Sequence, residues 1–373
     1  MKISVIILNY NVRYFLEQCI LSVEDALRNL DGEIIVIDNN SADDSCQMMK
    51  DRFPGITLIE NSENVGFSKA NNQAVKLAKG EYVCILNPDT AVTDSTFVKC
   101  LEKAEAIENM GAMGAYLLDG TGNFLPESKR NVPTPRISFL KLIGLDKKYY
   151  ASHVNEHGNS DVAILVGAFM FLKRSVYNEV GGFDEDYFMY GEDIDLSFKI
   201  LKAGYKNHYA GNIDVLHYKG ESTQKDSKYY DRFYGAMRIF YKKHFKTNLI
   251  LNLLVTIGVA MAKTLRKSSS KDEIQGNTMH DEAYVFTEDL TMYRRLSERM
   301  EIKLKTASKS MFDDGALRNC LFIFDVNYMP YSQIFSVMKK LRNRNNQFRI
   351  CPPNCNFIVG SDMSDEKGSV IVF

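Results

Sequence analysis

Two neighbouring acids, Glu192 and Asp193, follow Gly191 and open a helix-patterned stretch. A carboxylate with a reference pKa of ~3.9 is ionised at neutral pH and can take a proton from a hydroxyl held against it. The aromatic run Tyr187-Phe188-Met189-Tyr190 just before them could floor a site for such a hydroxyl. The same two acids would also suit a first helical turn with no chemistry at all, because the macrodipole favours negative charge there. A third acid, Asp89, closes Asn87-Pro88-Asp89 directly after the apolar run Tyr82–Leu86. Magnesium or manganese bridging phosphate oxygens wants one or two hard carboxylates. A strand-ending turn with an exposed Asp is the simpler alternative. His217 closes a further strand-like run, Ile213–Leu216, and leads into a Gly/Ser loop that could fold over a diphosphate. Lys219 in that loop is a secondary phosphate candidate, and His208 competes with His217.

Polar residues also close the earlier apolar runs. Asn9-Tyr10-Asn11 follows Ile3–Leu8, and Asp38-Asn39-Asn40-Ser41 follows Ile34–Ile37. The Asp38 carboxylate could accept from an imide N–H of a base or from ribose hydroxyls. Asn40 and Asp43 are weaker candidates, and the whole tetrapeptide also reads as a turn and helix cap. In Asn64–Asn72, Gly66 would let backbone approach a ligand closely. The helix start at Ser68 offers free N–H groups to an anion. Asn71, one turn into that helix, could point into a cleft or into solvent.

These residues need a scaffold that brings strand ends together. Strands are expected at Ile3–Leu8, Glu33–Ile37, Ile56–Glu60 and Tyr82–Leu86, with helices at about Arg13–Asn29, Asp43–Arg52 and Ser68–Lys79. Apolar runs of this kind, separated by helices, indicate a parallel sheet of βαβ units, and ligands bind such sheets at the carboxyl ends of the strands. Ser68 is the expected cap of the third helix and Gly80 its stop. Gly111 to about Pro135 reads as a loop, Val162–Lys173 as a strand or strand-turn, and Glu192–Ala203 as a helix. The domain division is 1–248, then 249–280 as an apolar helix and linker, then 281–373 as a small α/β domain of unknown role. In the last, strands are expected at Cys320–Phe324, Phe348–Ile350, Phe357–Val359 and Val370–Phe373, with a helix near Tyr331–Arg342. All the candidate residues precede Leu249, so 281–373 is expected to be dispensable for ligand binding.

The 373 residues are 45% hydrophobic and 25% charged, as in a soluble globular protein, and the net charge of −1 gives no reason to expect nucleic acid. Seven scattered cysteines without a Cys-x-x-Cys pair speak against a disulfide framework or zinc site. Met1-Lys2 runs straight into the first strand, so the chain is expected to stay in the cytoplasm. Leu249–Ala262 is apolar and flanked by lysines and arginines on both sides. It is shorter than the ~20 residues of a span. A buried packing helix and a helix lying on anionic lipid at the inner face of the cytoplasmic membrane are both open.

The order and spacing of these motifs resemble the family 2 glycosyltransferases over roughly residues 2–245, and within them the rhamnosyltransferase-like branch, where Asn-Pro-Asp replaces Asp-x-Asp. The resemblance implies an α/β GT-A fold: a Rossmann-like nucleotide-sugar-binding domain on a mixed, mostly parallel sheet. It implies nucleotide-sugar contacts from Asn9, Tyr10, Asp38, Asn40, Asn64, Gly66, Asn71, Asn87 and Asp89. It puts a divalent metal, Mg2+ or Mn2+, on Asp89 and His217, and the general base in the Glu192–Asp193 pair, most often on the Asp. The implied reaction is inverting transfer of a single sugar from a UDP- or dTDP-sugar, dTDP-rhamnose among them, to a hydroxyl of a saccharide or lipid-linked acceptor in cell-surface polysaccharide synthesis. A processive synthase would usually carry Gln-x-x-Arg-Trp, and the chain has no tryptophan. The rival classes are a sugar-1-phosphate nucleotidyltransferase and a non-catalytic carbohydrate- or partner-binding protein. The first would open with a Gly-rich basic loop, which Asn9–Arg13 is not.

Overall fold

The computed structural model describes residues 1–142, 144–221, 227–245, 280–313, 317–364 and 366–373. The apolar Leu249–Ala262 run and the linker after it lie outside the described residues. No helix among the described residues is long and apolar enough to cross a membrane.

The chain opens with three βα units. Strands β1 (Ile3–Asn9), β2 (Gly32–Asp38), β3 (Thr57–Glu60) and β4 (Tyr82–Leu86) alternate with helices α1 (Arg13–Leu27), α2 (Ser45–Arg52) and α3 (Phe67–Leu77). Then come β5 (Thr90–Val92), α4 (Thr96–Ala106), β6 (Met110–Leu118), α5 (Pro135–Leu142), β7 (Asn159–Val162), β8 (Phe169–Lys173), α6 (Arg174–Glu179), α7 (Glu192–Lys202), β9 (Lys206–His217) and α8 (Ser227–His244). The sheet order is β3-β2-β1-β4-β8-β6-β9-β5, with β7 on β9. Strands β1 to β4, β6 and β9 run one way, and β5, β7 and β8 run against them. This is the mixed, mostly parallel α/β sheet expected of the chain.

Two readings of local structure need correction. Residues 110–118 form no loop. They are a buried strand in the interior of the sheet. Its glycines reflect close packing, since a Cβ on Gly111 would sit 2.4 Å from Ile200 Cγ2 and one on Gly114 2.8 Å from Leu165 Cδ2. Nor does Ser68 cap α3. The N-cap is Gly66, with φ at +85°, and the Ser68 hydroxyl is buried with no hydrogen-bond partner among the described residues.

The C-terminal segment forms a second sheet from β10 (Glu282–Phe286), β11 (Leu304–Thr306), β12 (Cys320–Asp325), β13 (Gln347–Cys351), β14 (Phe357–Gly360) and β15 (Ser369–Val372), in the order β11-β10-β12-β13-β14-β15. Helices α9 (Leu290–Arg299) and α10 (Tyr331–Leu341) cover it. Strands β10 and β11 and helix α9 were not legible in advance. This sheet does not stand apart from the first. Val12, Phe15, Ala91, Tyr116, Leu118, Leu216 and Tyr218 of the first sheet's layer share one buried cluster with Phe322, Phe324, Phe335 and Phe348 of the second. Lys339 on α10 pairs with Asp214 on β9 at 2.7 Å, and Arg52 pairs with the fully buried Glu17 while reaching the Asn354 carbonyl. A loop of the first layer is pressed so hard on α10 that a Cβ on Gly122 would lie 2.3 Å from the Met338 carbonyl oxygen.

A chain cut after residue 280 would bare that cluster. Each buried large apolar side chain contributes about 1.5–3 kcal/mol, and a whole domain is stable by only ~5–15 kcal/mol. The truncated chain is therefore expected to be insoluble or molten, against the dispensability read from the motif positions. A soluble fragment with a cooperative urea transition would contradict this.

Candidate active site

The carboxyl ends of the aligned strands meet one cleft of about 370 Å³, large enough for a small ligand. Tyr10, Asn64, Gly66, Asn87, Asp89, Glu192, Asp193 and His217 all line it. Asn9, Asp38, Asn40 and Asn71 do not. Asp38 is buried, and its carboxylate accepts from Asn9 Nδ2 at 2.7 Å, Ser41 N at 2.8 Å and Ser41 Oγ at 2.6 Å. These bonds fix the ends of β1 and β2 to each other. Asn40 is exposed in a left-handed turn, and Asn71 donates back to the Phe67 carbonyl. The neighbour Asn39 faces the cleft instead. Its amide donates to Asn64 Oδ1 and the Gly66 carbonyl, both at 3.2 Å. Only Gly fits at 66: φ is +85°, and a Cβ would lie 2.6 Å from the Phe188 carbonyl, which accepts from Phe67 N at 2.7 Å.

On the β4 side, Asp89 Oδ1 lies 3.5 Å from His217 Nε2, and both residues are buried. Strand pairing enforces this, since Thr90 is in register with His217 and Tyr218 N donates to the Asp89 carbonyl at 3.0 Å. Asn87 Nδ2 is 3.5 Å from the same imidazole nitrogen. One carboxylate and one imidazole converging on a cleft fit a hard divalent ion that keeps its remaining positions for phosphate and water. Among the described residues no group of three or more His, Cys, Asp or Glu gathers, so such an ion would depend on its ligand for the rest.

The acid pair sits across the cleft at the start of α7. Tyr190 and Gly191 both have positive φ, and this turn delivers Glu192 and Asp193 into the cleft. Asp193 is tightly engaged. Oδ2 accepts from Arg130 Nη2 at 2.6 Å and Gly167 N at 3.1 Å, and Oδ1 accepts from Ile194 N at 2.7 Å. Arg130 also donates to the Leu165 carbonyl at 2.6 Å. Burial works against the guanidinium's charge, but Asp193 and Tyr149 outweigh it and hold Arg130 charged. Glu192 is the reverse case. It is buried, its Oε2 has no hydrogen-bond partner among the described residues, and desolvation first and the Asp193 charge second push its pKa well above the carboxylate range. Asp195, two residues beyond Asp193, is fully buried; it joins α7 to α8 through His244 Nε2 at 2.6 Å and pairs within α7 with Lys199 at 3.1 Å.

Sequence reasoning missed several lining residues. Arg130, Glu127 and Tyr149 belong to the irregular stretch after β6, where no spacing rule applies. Glu127 pairs with Lys219 at 2.7 Å, which overcomes its burial and lowers its pKa. Arg232 stacks on Phe188 at 4.6 Å at the mouth. Nearby Lys141 lies over the Tyr149 ring at 3.4 Å, its pKa brought down to about 8 by burial and then by Arg130.

Residues 4–181 match the model of "Glycosyl transferase family 2", and residues 120–252 match that of "Glycosyl transferase family group 2". The chain is 28% identical over 210 residues to the N-acetylglucosaminyl-diphospho-decaprenol L-rhamnosyltransferase of Mycobacterium tuberculosis, covering 52% of this chain and 68% of that one. It is 27% identical over 214 residues to the rhamnosyltransferase WbbL of Escherichia coli, covering 52% and 78%. Among solved structures, the mannosyltransferase PcManGT of Pyrobaculum calidifontis, in complex with GDP-Man and Mn2+, aligns with a TM-score of 0.47 at 20% identity over 73% of this chain and 76% of that one. The two family matches overlap and together span residues 4–252, the layer that builds the cleft, and with the two rhamnosyltransferase relatives they support a family 2 glycosyltransferase of the rhamnosyltransferase-like branch.

Proposed function

We propose that the chain transfers one sugar, with inversion, from a UDP- or dTDP-sugar to a hydroxyl of a saccharide or lipid-linked acceptor in the building of cell-surface polysaccharide. The observation that carries this reading is the meeting in one cleft of Asp89 with His217 on one side and Glu192 with Asp193 on the other. The relatives named above are rhamnosyltransferases, which supports dTDP-rhamnose as a donor to test first.

Tyr10, Asn39, Asn64 and Gly66 would take the nucleoside, with Asn9 and Asp38 bracing the floor beneath them. Asp89 and His217 would hold the divalent ion, with the Lys219–Glu127 pair on the same side. Bound there, the ion would neutralise the diphosphate as it leaves. Asp193 receives the acceptor proton at Oδ1, because Oδ2 is committed to Arg130 and Gly167. Arg130 acts through Asp193, holding the carboxylate in one orientation beside a second acid. Phe188, Tyr190 and Phe233 wall the acceptor side. Membrane contact by the basic-flanked 249–262 segment belongs to the same proposal, with a cytoplasmic, peripheral location.

A screen of dTDP-rhamnose and UDP-sugars for binding and turnover, with and without manganese, tests the reading. Binding that requires no metal, or a product with retained anomeric configuration, would overturn it. Asp193→Asn is expected to keep donor affinity and lose at least ~10²-fold in turnover. Asp89→Ala is expected to abolish metal-stimulated donor binding, which calorimetry with manganese reads directly. Arg130→Gln leaves a buried carboxylate without its cation, a loss of about 3–5 kcal/mol in unfolding free energy. Glu192 predicts a pH effect. Folded protein keeps a proton that the unfolded chain releases in the ordinary carboxylate range, so this group's contribution to stability falls as pH rises from that range through neutrality. Glu192→Gln should therefore gain on the unchanged protein between pH 5 and pH 8 in urea midpoint, and a constant difference would contradict the raised pKa.

A further inference from the structure

One contact gives the second sheet a place at the cleft. The segment after β9 runs His217-Tyr218-Lys219-Gly220-Glu221. His217, Lys219 and Gly220 line the cleft. Tyr218 and Glu221 point the other way and are buried, at 1% and 6% exposure. Tyr218 packs edge-on to Phe15 at 5.0 Å and belongs to the apolar cluster shared with Phe324, Tyr331 and Phe357 of the second layer. Glu221 Oε1 accepts a hydrogen bond from Gly368 N at 2.5 Å. Gly368 immediately precedes β15, whose Ser369 is in register with Gly360 of β14.

Between the two anchors the backbone is in an unfavourable conformation. Lys219 has φ at +60° and Gly220 at +101°. A lysine in the left-handed region is strained and persists only where the surroundings over-determine it. Here both flanks of the turn are held by the second layer. Gly368 is needed for its size: its φ is ordinary, yet a Cβ would meet Glu221 Oε1 at 2.5 Å, the Gly360 carbonyl at 2.6 Å and Phe15 Cζ at 3.0 Å. The contact also carries a cost. Burial lifts the Glu221 pKa to about 7, the Gly368 amide offsets part of that, and Asp89 raises it further. A solvent-exposed residue at 221 would avoid the cost, and would also leave the turn untethered.

We propose that the C-terminal sheet sets the position of the Lys219–Gly220 turn through Tyr218, Glu221 and Gly368, and thereby tunes the affinity of the cleft for the diphosphate part of its ligand. This rests on the nucleotide-sugar reading given above. Glu221 and Gly368 are positioning residues, acting through a turn whose lysine faces the cleft. The residues proposed for the base and ribose lie on the loops after β1, β2 and β3, not on this turn. A displaced turn therefore weakens diphosphates and spares monophosphates.

The test uses the full-length chain and four probes, UDP, dTDP, UMP and dTMP, titrated calorimetrically in excess manganese, with melting temperatures measured alongside. Glu221→Ala and Gly368→Ala are expected to weaken whichever diphosphate binds by about tenfold, with the matching monophosphate changed by less than about twofold. Glu221→Gln keeps a carbonyl oxygen to accept from Gly368 N, and is expected to retain most of the affinity. Should Gly368→Ala not fold, the two Glu221 variants carry the test alone. Equal losses for diphosphate and monophosphate, unchanged affinity in Glu221→Ala, or no rescue by Gln would each overturn the proposal. Failure of the unchanged protein to bind any of the four probes would overturn the nucleotide-sugar reading itself, and this inference with it.

Discussion

The antiparallel insertion of β8 between β4 and β6 is the constraint on which the cleft depends. Because β8 runs against its neighbours, its start, not its end, lies at the edge where the other strands finish. Residues 167 and 168 therefore sit between the two halves of the site. Asn87 N donates to the Ala168 carbonyl at 3.0 Å, and Gly167 N donates to Asp193 Oδ2 at 3.1 Å. Two consecutive residues thus tie the Asp89 side to the Asp193 side through their own backbone groups. An all-parallel sheet would have placed a helix start there, and the acid pair would have had no such tether. Side chain at 167 is limited by the same closeness, since a Cβ would be 3.3 Å from that of Asp193.

The electrostatics of the acid pair follow from its burial. Two adjacent carboxylates out of water cannot both be comfortably charged. The fold resolves this by giving most of the compensation to one of them: a guanidinium, a backbone amide and its own helix start serve Asp193, while Glu192 Oε2 has no hydrogen-bond partner among the described residues and Glu192 has a raised pKa. A carboxylate oriented by a guanidinium and a neighbour that burial helps to keep protonated then sit side by side. Arg130 decides which is which, and it comes from a segment with no regular structure, so its own placement is secured by the Leu165 carbonyl.

Most of the first layer was legible because its signals are local. Ile3–Leu8, Glu33–Ile37 and Tyr82–Leu86 are apolar on both faces and end in polar residues, which is what a buried parallel strand requires. Eight of the twelve candidate site residues reach the cleft for the same reason, since the strand ends that carry them share one edge. The exceptions have physical causes. Asp38 is the last residue of its strand and turns inward to Asn9 and Ser41, which leaves the next residue, Asn39, to face the ligand side. Strand β6 escaped because its glycines and alanines, chosen for close packing against Leu165 and Ile200, look like a loop. Arg130 escaped because its partner is 63 residues away, and pairing over that distance leaves no pattern in sequence.

The second layer shows why motif position is a poor guide to domain independence. Every candidate residue precedes Leu249, yet Phe15 on the first helix, Leu216 on the last strand of the first sheet and Tyr218 beside His217 are all buried against later sequence. A strand end that delivers a ligand-facing residue must have something behind it, because neighbouring residues point to opposite sides. At β1 and β2 the backing is internal to the layer, through Asp38. At β9 it is the second sheet, so the side chains flanking His217 and Lys219 have no home without it. The two sheets therefore divide one task, with the first supplying the residues that face the cleft and the second holding the turn that presents two of them.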